Sequence, residues 1–267
     1  MNNSPTPVIR RYGAVNWIGL QTLLQREIQR FLKVSAQTIV APLVSTVLFL
    51  LVFKLAMRAN PSPFPGVPYA DFLAPGLLMM AILNNAFANA SSSLVIAKVQ
   101  GNSVDFLMPP LSALELTIAF ILGAVVRGLL VGLVGLIILS PLAHVWPQHP
   151  LIAFYFAAMA ATIFGAIGLI GGIWSDKFDH LAAVTNFVVT PLTFLSGTFY
   201  SIDTLPEPLK AIGHYNPVFF LIDGFRFGFV GHADGPVWVS AFGAFVLAAG
   251  LCLAAWMMLR AGYKLKA

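Results

Sequence analysis

Six stretches of this chain stay apolar for about twenty residues at a time, and no other property narrows its fold as sharply. They fall at 36–57, 70–97, 115–140, 151–174, 182–200 and 237–259. A helix rises about 1.5 Å per residue, so about twenty residues cross a hydrocarbon core of about 30 Å. At that depth no water satisfies the backbone, so each segment must close its hydrogen bonds within itself. Of the 267 residues 58% are hydrophobic and 9% charged, where a water-soluble domain carries about 25% charged residues. The expectation is an all-α polytopic membrane protein with six transmembrane helices.

The formal charge of +5 does not mark a nucleic-acid binder, because the cations are spread through short loops and not gathered with aromatics into one face. Arg10, Arg11, Arg26, Arg30, Lys33, Lys98, Lys177, Arg260, Lys264 and Lys266 fall on the side that holds both termini; Lys54, Arg58, Lys210 and Arg226 fall on the other. That bias predicts two cytoplasmic ends. The chain then divides into a cytoplasmic N-terminus with an amphipathic helix (1–35), a six-helix domain (36–260) and a cytoplasmic tail (261–267). The first 35 or so residues carry charges throughout, so no cleavable signal peptide is expected. One cysteine, Cys252, leaves no intrachain disulfide and no cysteine metal cluster. No glycine-rich phosphate loop occurs, so the chain is not expected to hydrolyse ATP by itself.

Three segments do not fit the spanning pattern. Over 13–33, Trp17, Leu20, Leu24, Ile28 and Phe31 recur at helical spacing, with Gln21, Gln25, Arg26, Gln29 and Arg30 on the other side, which predicts a helix lying in the membrane interface. The loop 98–114 is too polar to span. Its turn Asp105–Phe106–Leu107–Met108 is stopped by Pro109 and Pro110, and an exposed apolar turn of this kind marks a protein docking site or else a loop packed on its own headgroup region. After the 182–200 window, 201–231 is predicted to form two short helical elements that enter the outer leaflet and turn back. The first holds Pro206, Pro208 and Gly213. The second begins at Asn216 and Pro217, a good N-cap followed by a residue suited to the first helical position, and is interrupted by Gly224 and Gly228.

Few ionisable residues fall inside the apolar windows. Arg127 lies midway along the third, where a cation costs about 2.5–3.5 kcal/mol on insertion scales, so it must face protein or water. It could meet an anionic group of a cargo, or bond carbonyls, Glu115 or a neighbouring helix. Asn84, Asn85, Asn89 and Ser91 to Ser93 give the second window a polar stripe, suited to interhelical bonding or to lining a path. Asp223 and Arg226, three apart, can pair on one helix face. Gly128 with Gly132, and Gly168 with Gly172, have the spacing that brings helix backbones together in lipid. His144, His149, His214 and His232 lack acidic partners at metal-ligand spacing.

Taken together, QREIQRFLK (25–33), FLAPGLLMM (72–80), GNSVDFLMPPLSALEL (101–116), PLTFLSGTFYSIDTLP (191–206) and YNPVFFLIDGFRFGFVG (215–231) resemble the membrane subunits of ABC-2 type transporters. The resemblance covers nearly the whole chain and extends to the bacterial subset related to nodulation-factor exporters. It implies that the helix bearing Arg26 and Glu27 is the family's interfacial connecting helix. It also implies that the turn with Asp105, Phe106 and Leu107 is the coupling helix that docks on an ATPase, and that 201–231 forms the outer re-entrant helices. Asp105 stands where many members carry Glu, which keeps the charge. The implied assembly is a homodimer of this chain, or a pseudo-symmetric pair, on two copies of a separate ABC ATPase. ATP and Mg would then sit on that partner, and no cofactor in this chain. The implied work is outward movement of an amphipathic or lipid-linked cargo (glycolipid, polysaccharide or drug-like) across a bacterial inner membrane. The alternative, an ion-coupled secondary transporter, would want acidic residues near mid-membrane, where only Arg127 is charged.

Overall fold

The computed structural model describes residues 15–57, 66–102, 104–201, 206, 207, 210 and 216–264, apart from the side chain of Leu107. Expectations for residues 1–12, for the prolines at 61, 63 and 65, for a short turn around Pro208 and Gly213, and for Lys266 lie outside the described residues. Every regular element among the described residues is helical. The helices are α1 (Trp17–Leu32), α2 (Ala36–Ala56), α3 (Tyr69–Val99), α4 (Val104–Leu107), α5 (Ala113–Ala143), α6 (Pro150–Trp174), α7 (178–194), α8 (Pro217–Val230) and α9 (Val237–Arg260). Five of them, α2, α3, α5, α6 and α9, are long and apolar enough to cross a membrane.

The window expected at 182–200 is helical from Phe178 to Phe194, in an α-turn, a π-turn over Thr185–Val189 and a final α-turn. It begins earlier than expected and stops well short of 200. At about 1.5 Å per residue it is roughly 25 Å long, shorter than the other five.

α3 is the axis of the bundle. Most of its 31 residues are buried, and α5 and α6 pack on it most extensively. The expected glycine pairs make both contacts: a Cβ on Gly168 or Gly172 would run into the α3 backbone at Phe87 or Ser91, and Gly128 and Gly132 face Ile82. α9 lies on α6 through a line of small residues, Ser240, Ala244, Ala248 and Ala255. α2 buries only Thr38, Leu43, Thr46 and Leu50, one narrow stripe; most of the rest of its surface is apolar and at least partly exposed.

Both α3 and α5 have 31 residues, so each is about 46 Å long and overruns the hydrocarbon by roughly 15 Å. Lys54, near the end of α2, donates to the carbonyl of Leu142 near the end of α5, so the two helices are level there and the overrun falls at the opposite end, beside α4. The windows at 70–97 and 115–140 mark most of both helices, and Asn89, Ser91 to Ser93 and Lys98 continue α3 without being apolar. The overrun is what α1 packs on. α1 buries Leu20, Leu23, Glu27 and Phe31 against α5, and Trp17 is exposed. The helix expected to lie free in the interface is therefore the outer wall of that end.

Candidate functional site

Two regions hold the polar and aromatic groups that composition leaves scarce, one at each end of the bundle.

At the α4 end, Ser112 caps α5. Its hydroxyl accepts the Glu115 N–H, and the Glu115 carboxylate accepts the Ser112 N–H at 2.6 Å, a closed capping box. The second oxygen of Glu115 accepts the N–H of Asn16. Asn16 is itself the N-cap of α1, accepting from the Gly19 N–H at 3.0 Å and donating to the carbonyl of Pro110. One carboxylate thus fastens the starts of two helices beside the α4 loop. In α4, Phe106 is 3% exposed and meets Phe120 edge-on at 5.8 Å. Val104, Asp105 and Met108 face out, Met108 at 78% exposure. The turn expected to dock through Phe106 uses that ring as its own anchor and presents Val104, Asp105 and Met108. Both kinds of apolar residue look alike in a sequence, which is why Met108 was given no separate role.

A polar seam joins α1 to α3 and α5. Glu27 is 1% exposed, bonded by Ser93 at 2.7 Å and paired with Arg30 at 3.1 Å. Arg30 also donates to the Asn89 carbonyl at 2.7 Å, to Asn89 Oδ1 and to Ser92. Arg26, by contrast, is exposed. Arg30 was not singled out beforehand, although its i, i+3 spacing from Glu27 is a signal for the pair. Arg127, 8% exposed, donates to Asn85 Oδ1 at 2.9 Å, so of the options the sequence left open the neighbouring helix supplies its partner. Arg127 lies about 21 Å along α5 from Ala113; with about 15 Å of overrun it sits roughly 6 Å inside the hydrocarbon, shallower than its mid-helix position suggests.

At the other end lies α8, 14 residues long. Asn216 caps it by accepting the Val218 N–H at 3.0 Å and ties it to α7 by donating to the Leu192 carbonyl at 2.8 Å; Gly231 closes it at φ 70. Gly224 and Gly228, which interrupt the apolar run in sequence, lie within one continuous helix, as expected for 216–230. Side chains there would collide with Phe156 and with the backbone of Ala153, so they are the contact that seats α8 on α6. Asp223 and Arg226 do not bond each other. The Asp223 carboxylate accepts the N–H groups of Asp234 and Gly235 at 2.9 and 3.1 Å, holding the turn after the helix. Arg226 is 0% exposed, donates to the Gly197 carbonyl at 2.6 Å and lies 3.9 Å from the centre of the Phe72 ring. Phe49 and Phe53 of α2 meet Phe199 at 6.4 and 5.2 Å, and Phe194 stacks on Phe199 at 5.5 Å. An aromatic clasp therefore joins α2 to the end of α7.

Comparison with known proteins places this architecture. A family model described as ABC-2 type transporter matches residues 19–230. The inner membrane transport permease YadH of Escherichia coli is 33% identical over 255 residues, covering 94% of this chain and 98% of that protein. Nodulation protein J of Sinorhizobium fredii is 22% identical over 236 residues, covering 85% and 88%, and that of Rhizobium leguminosarum bv. viciae 23% over 216 residues, covering 80% and 82%. With a family model matched across most of its length and a relative one-third identical nearly end to end, the chain belongs to the ABC-2 type transporter family, as a membrane subunit, and in this family the ATPase lies in a separate subunit.

Proposed function

We propose that this chain is the permease of an exporter that moves an amphipathic or lipid-linked cargo outward across the bacterial inner membrane, working as two copies on two copies of an ABC ATPase. In this reading α7 is a sixth crossing, α8 and the segment before it dip into the outer leaflet and return, and both chain ends are cytoplasmic. ATP and Mg are handled by the partner, and the chain itself catalyses nothing. The inner membrane location rests on the name of the Escherichia coli relative and on the five apolar helices.

The observation that carries the reading is the construction of the α4 end. Phe106 locks a four-residue helix onto α5, Glu115 locks α1 beside it, and the residues left facing out are Val104, Asp105, Met108 and Arg26. A force applied to such a surface is passed to α3 and α5 without slack, because Glu27 and Arg30 bind α1 to α3 inside the bundle. Asp105 and Arg26 supply charges for pairing with a partner, and Asn85, Asn89 and Arg127 either face the cargo path or brace it. Glu27 acts through Arg30 and Ser93 as a positioning residue. The clasp of Phe49, Phe53, Phe194 and Phe199 favours a cargo with an apolar part.

The experiment is copurification with the cognate ABC ATPase. Met108→Asp should abolish copurification and ATP-driven transport while membrane level and thermal midpoint stay unchanged; Phe106→Asp should instead lower the midpoint. Transport or ATP hydrolysis by the isolated chain, or intact coupling in Met108→Asp, would overturn the reading.

A further inference from the structure

We propose that a groove on the flank of the bundle holds one acyl chain of a membrane phospholipid as a resident part of the fold. The groove lies over Leu78 and Ile82 of α3 between α1, α5, α6 and α8, has a volume of about 670 Å³, and is lined only by apolar residues, among them Phe31, Leu133, Pro147 and Phe229. No lining residue offers a side-chain hydrogen bond, so the occupant must be carbon along its whole length. Its floor on α5 runs from Val126 to Leu136, about 15 Å at the helical rise and therefore one leaflet of a core about 30 Å thick. Val126 sits just inside the hydrocarbon at the α4 end, so the whole floor is at acyl depth.

Depth and lining select the occupant. At this depth the surrounding medium is lipid, and an acyl chain meets an all-carbon lining without stranding a polar group. Its walls come from both ends of the molecule, Phe31 from α1 and Phe229 from α8, so an alkyl chain there packs against both.

The inference does not rest on the transport reading, and its test needs no transport. Cells are grown so that the membrane contains phosphatidylethanolamine with a diazirine midway along one acyl chain, the membranes are irradiated, and the full chain is purified and mapped by mass spectrometry. Labelling is expected to concentrate at least five-fold on 129–136 and 225–229 over the exposed apolar face of α9 around Val239 and Phe245. Leu133→Trp should reduce it by more than half, and Val239→Trp should not. Equal labelling of the two faces would mean ordinary bulk lipid and overturn the proposal. So would a disulfide between two copies carrying Leu133→Cys in a Cys252→Ser background, which would put a second copy on this face. The comparison of faces in the unaltered chain stands even where Leu133→Trp fails to accumulate.

Discussion

Glu115 accepts the backbone N–H of Asn16 from 99 residues away in the sequence while closing the cap of its own helix on Ser112. The first turn of any helix leaves N–H groups without partners and carries a partial positive charge, and a carboxylate answers both. Here one carboxylate serves α1 and α5 together, so the two helices cannot separate without stranding it.

Replacing Glu115 with alanine should therefore free α1 more than it harms α5, whose hydroxyl cap from Ser112 remains. The expected loss is about 2 kcal/mol, from the three hydrogen bonds the buried carboxylate accepts, offset by the charge no longer being desolvated. A cysteine at the buried position Leu23, in a Cys252→Ser background, should become reactive to a maleimide in Glu115→Ala and stay protected in the parent. Equal protection in both would show that α1 is held by its apolar stripe alone.

The spans were legible because lipid leaves the chain few choices: a window of about twenty apolar residues has to be a helix. The start of α8 was legible from Asn216 and Pro217, whose cap chemistry is local. What failed to show were features fixed by neighbours. Gly224 and Gly228 read as interruptions of an apolar run, and nothing local shows that their missing side chains let α8 approach Phe156 and Ala153. Phe106 read as a docking residue because nothing local distinguishes a ring aimed at Phe120 from one aimed at a partner. The windows at 70–97 and 115–140 nearly give the lengths of α3 and α5, but not that α1 packs on them through polar bonds such as the one Ser93 donates to Glu27. Asp223 and Arg226 had the right spacing to pair, but the turn at Asp234 and the carbonyl of Gly197 claim them separately.

Gly168 gives the sharpest packing test. A Cβ there would overlap the carbonyl oxygen of Phe87 on the central helix, whereas one on Gly171 would stand 3.9 Å from the Phe87 ring. Gly168→Ala should cost about 1–3 kcal/mol as α6 is pushed off α3. Gly171→Ala should be neutral or slightly stabilising through its better helix propensity. Thermal unfolding of the two variants in the same detergent decides it, and a smaller effect at 168 than at 171 would contradict the parallel packing of α3 and α6.

Acid should loosen the far side of the same end. Lys264 donates to Asp176 at 3.0 Å and to the carbonyl of Trp174 at 3.1 Å, and Lys98 donates to the carbonyls of Ile173 and Ser175. The two lysines thus close the C-terminus of α6, whose last carbonyls favour cations. The hydrogen bond from Lys264 holds the Asp176 carboxyl below its ordinary range. A carboxyl lowered by folding contributes its stability above the ordinary aspartate value of about 4 and loses it as pH falls through the lowered one. The thermal midpoints of the parent and Asp176→Asn should keep a small constant separation from pH 7 to about 4 and converge only below. Convergence already at pH 5 to 6 would mean that Lys264 does not hold the carboxylate.

Arg127 and Asn85 should show an unequal cycle. The only hydrogen bond the guanidinium makes to a side chain among the described residues is to Asn85 Oδ1, its Nε has no partner, and Arg30 is near enough to repel it. Asn85→Leu would leave the cation unanswered in a nearly dry site, a loss expected at about 3 kcal/mol. Arg127→Met removes the charge together with its repulsion from Arg30 and leaves only a neutral amide, which already donates to the carbonyl of Ala81 at 3.0 Å; its cost should be about 1 kcal/mol. The double variant should then be more stable than Asn85→Leu alone, a sign that simple addition cannot produce. Unfolding in bicelles across the four proteins measures it. The same set separates bracing from cargo contact: if Arg127 only braces α5 against α3, Arg127→Met transports at a near-normal rate with the ATPase present. A stable Arg127→Met protein that still couples to ATP but no longer moves cargo would assign the guanidinium to the path.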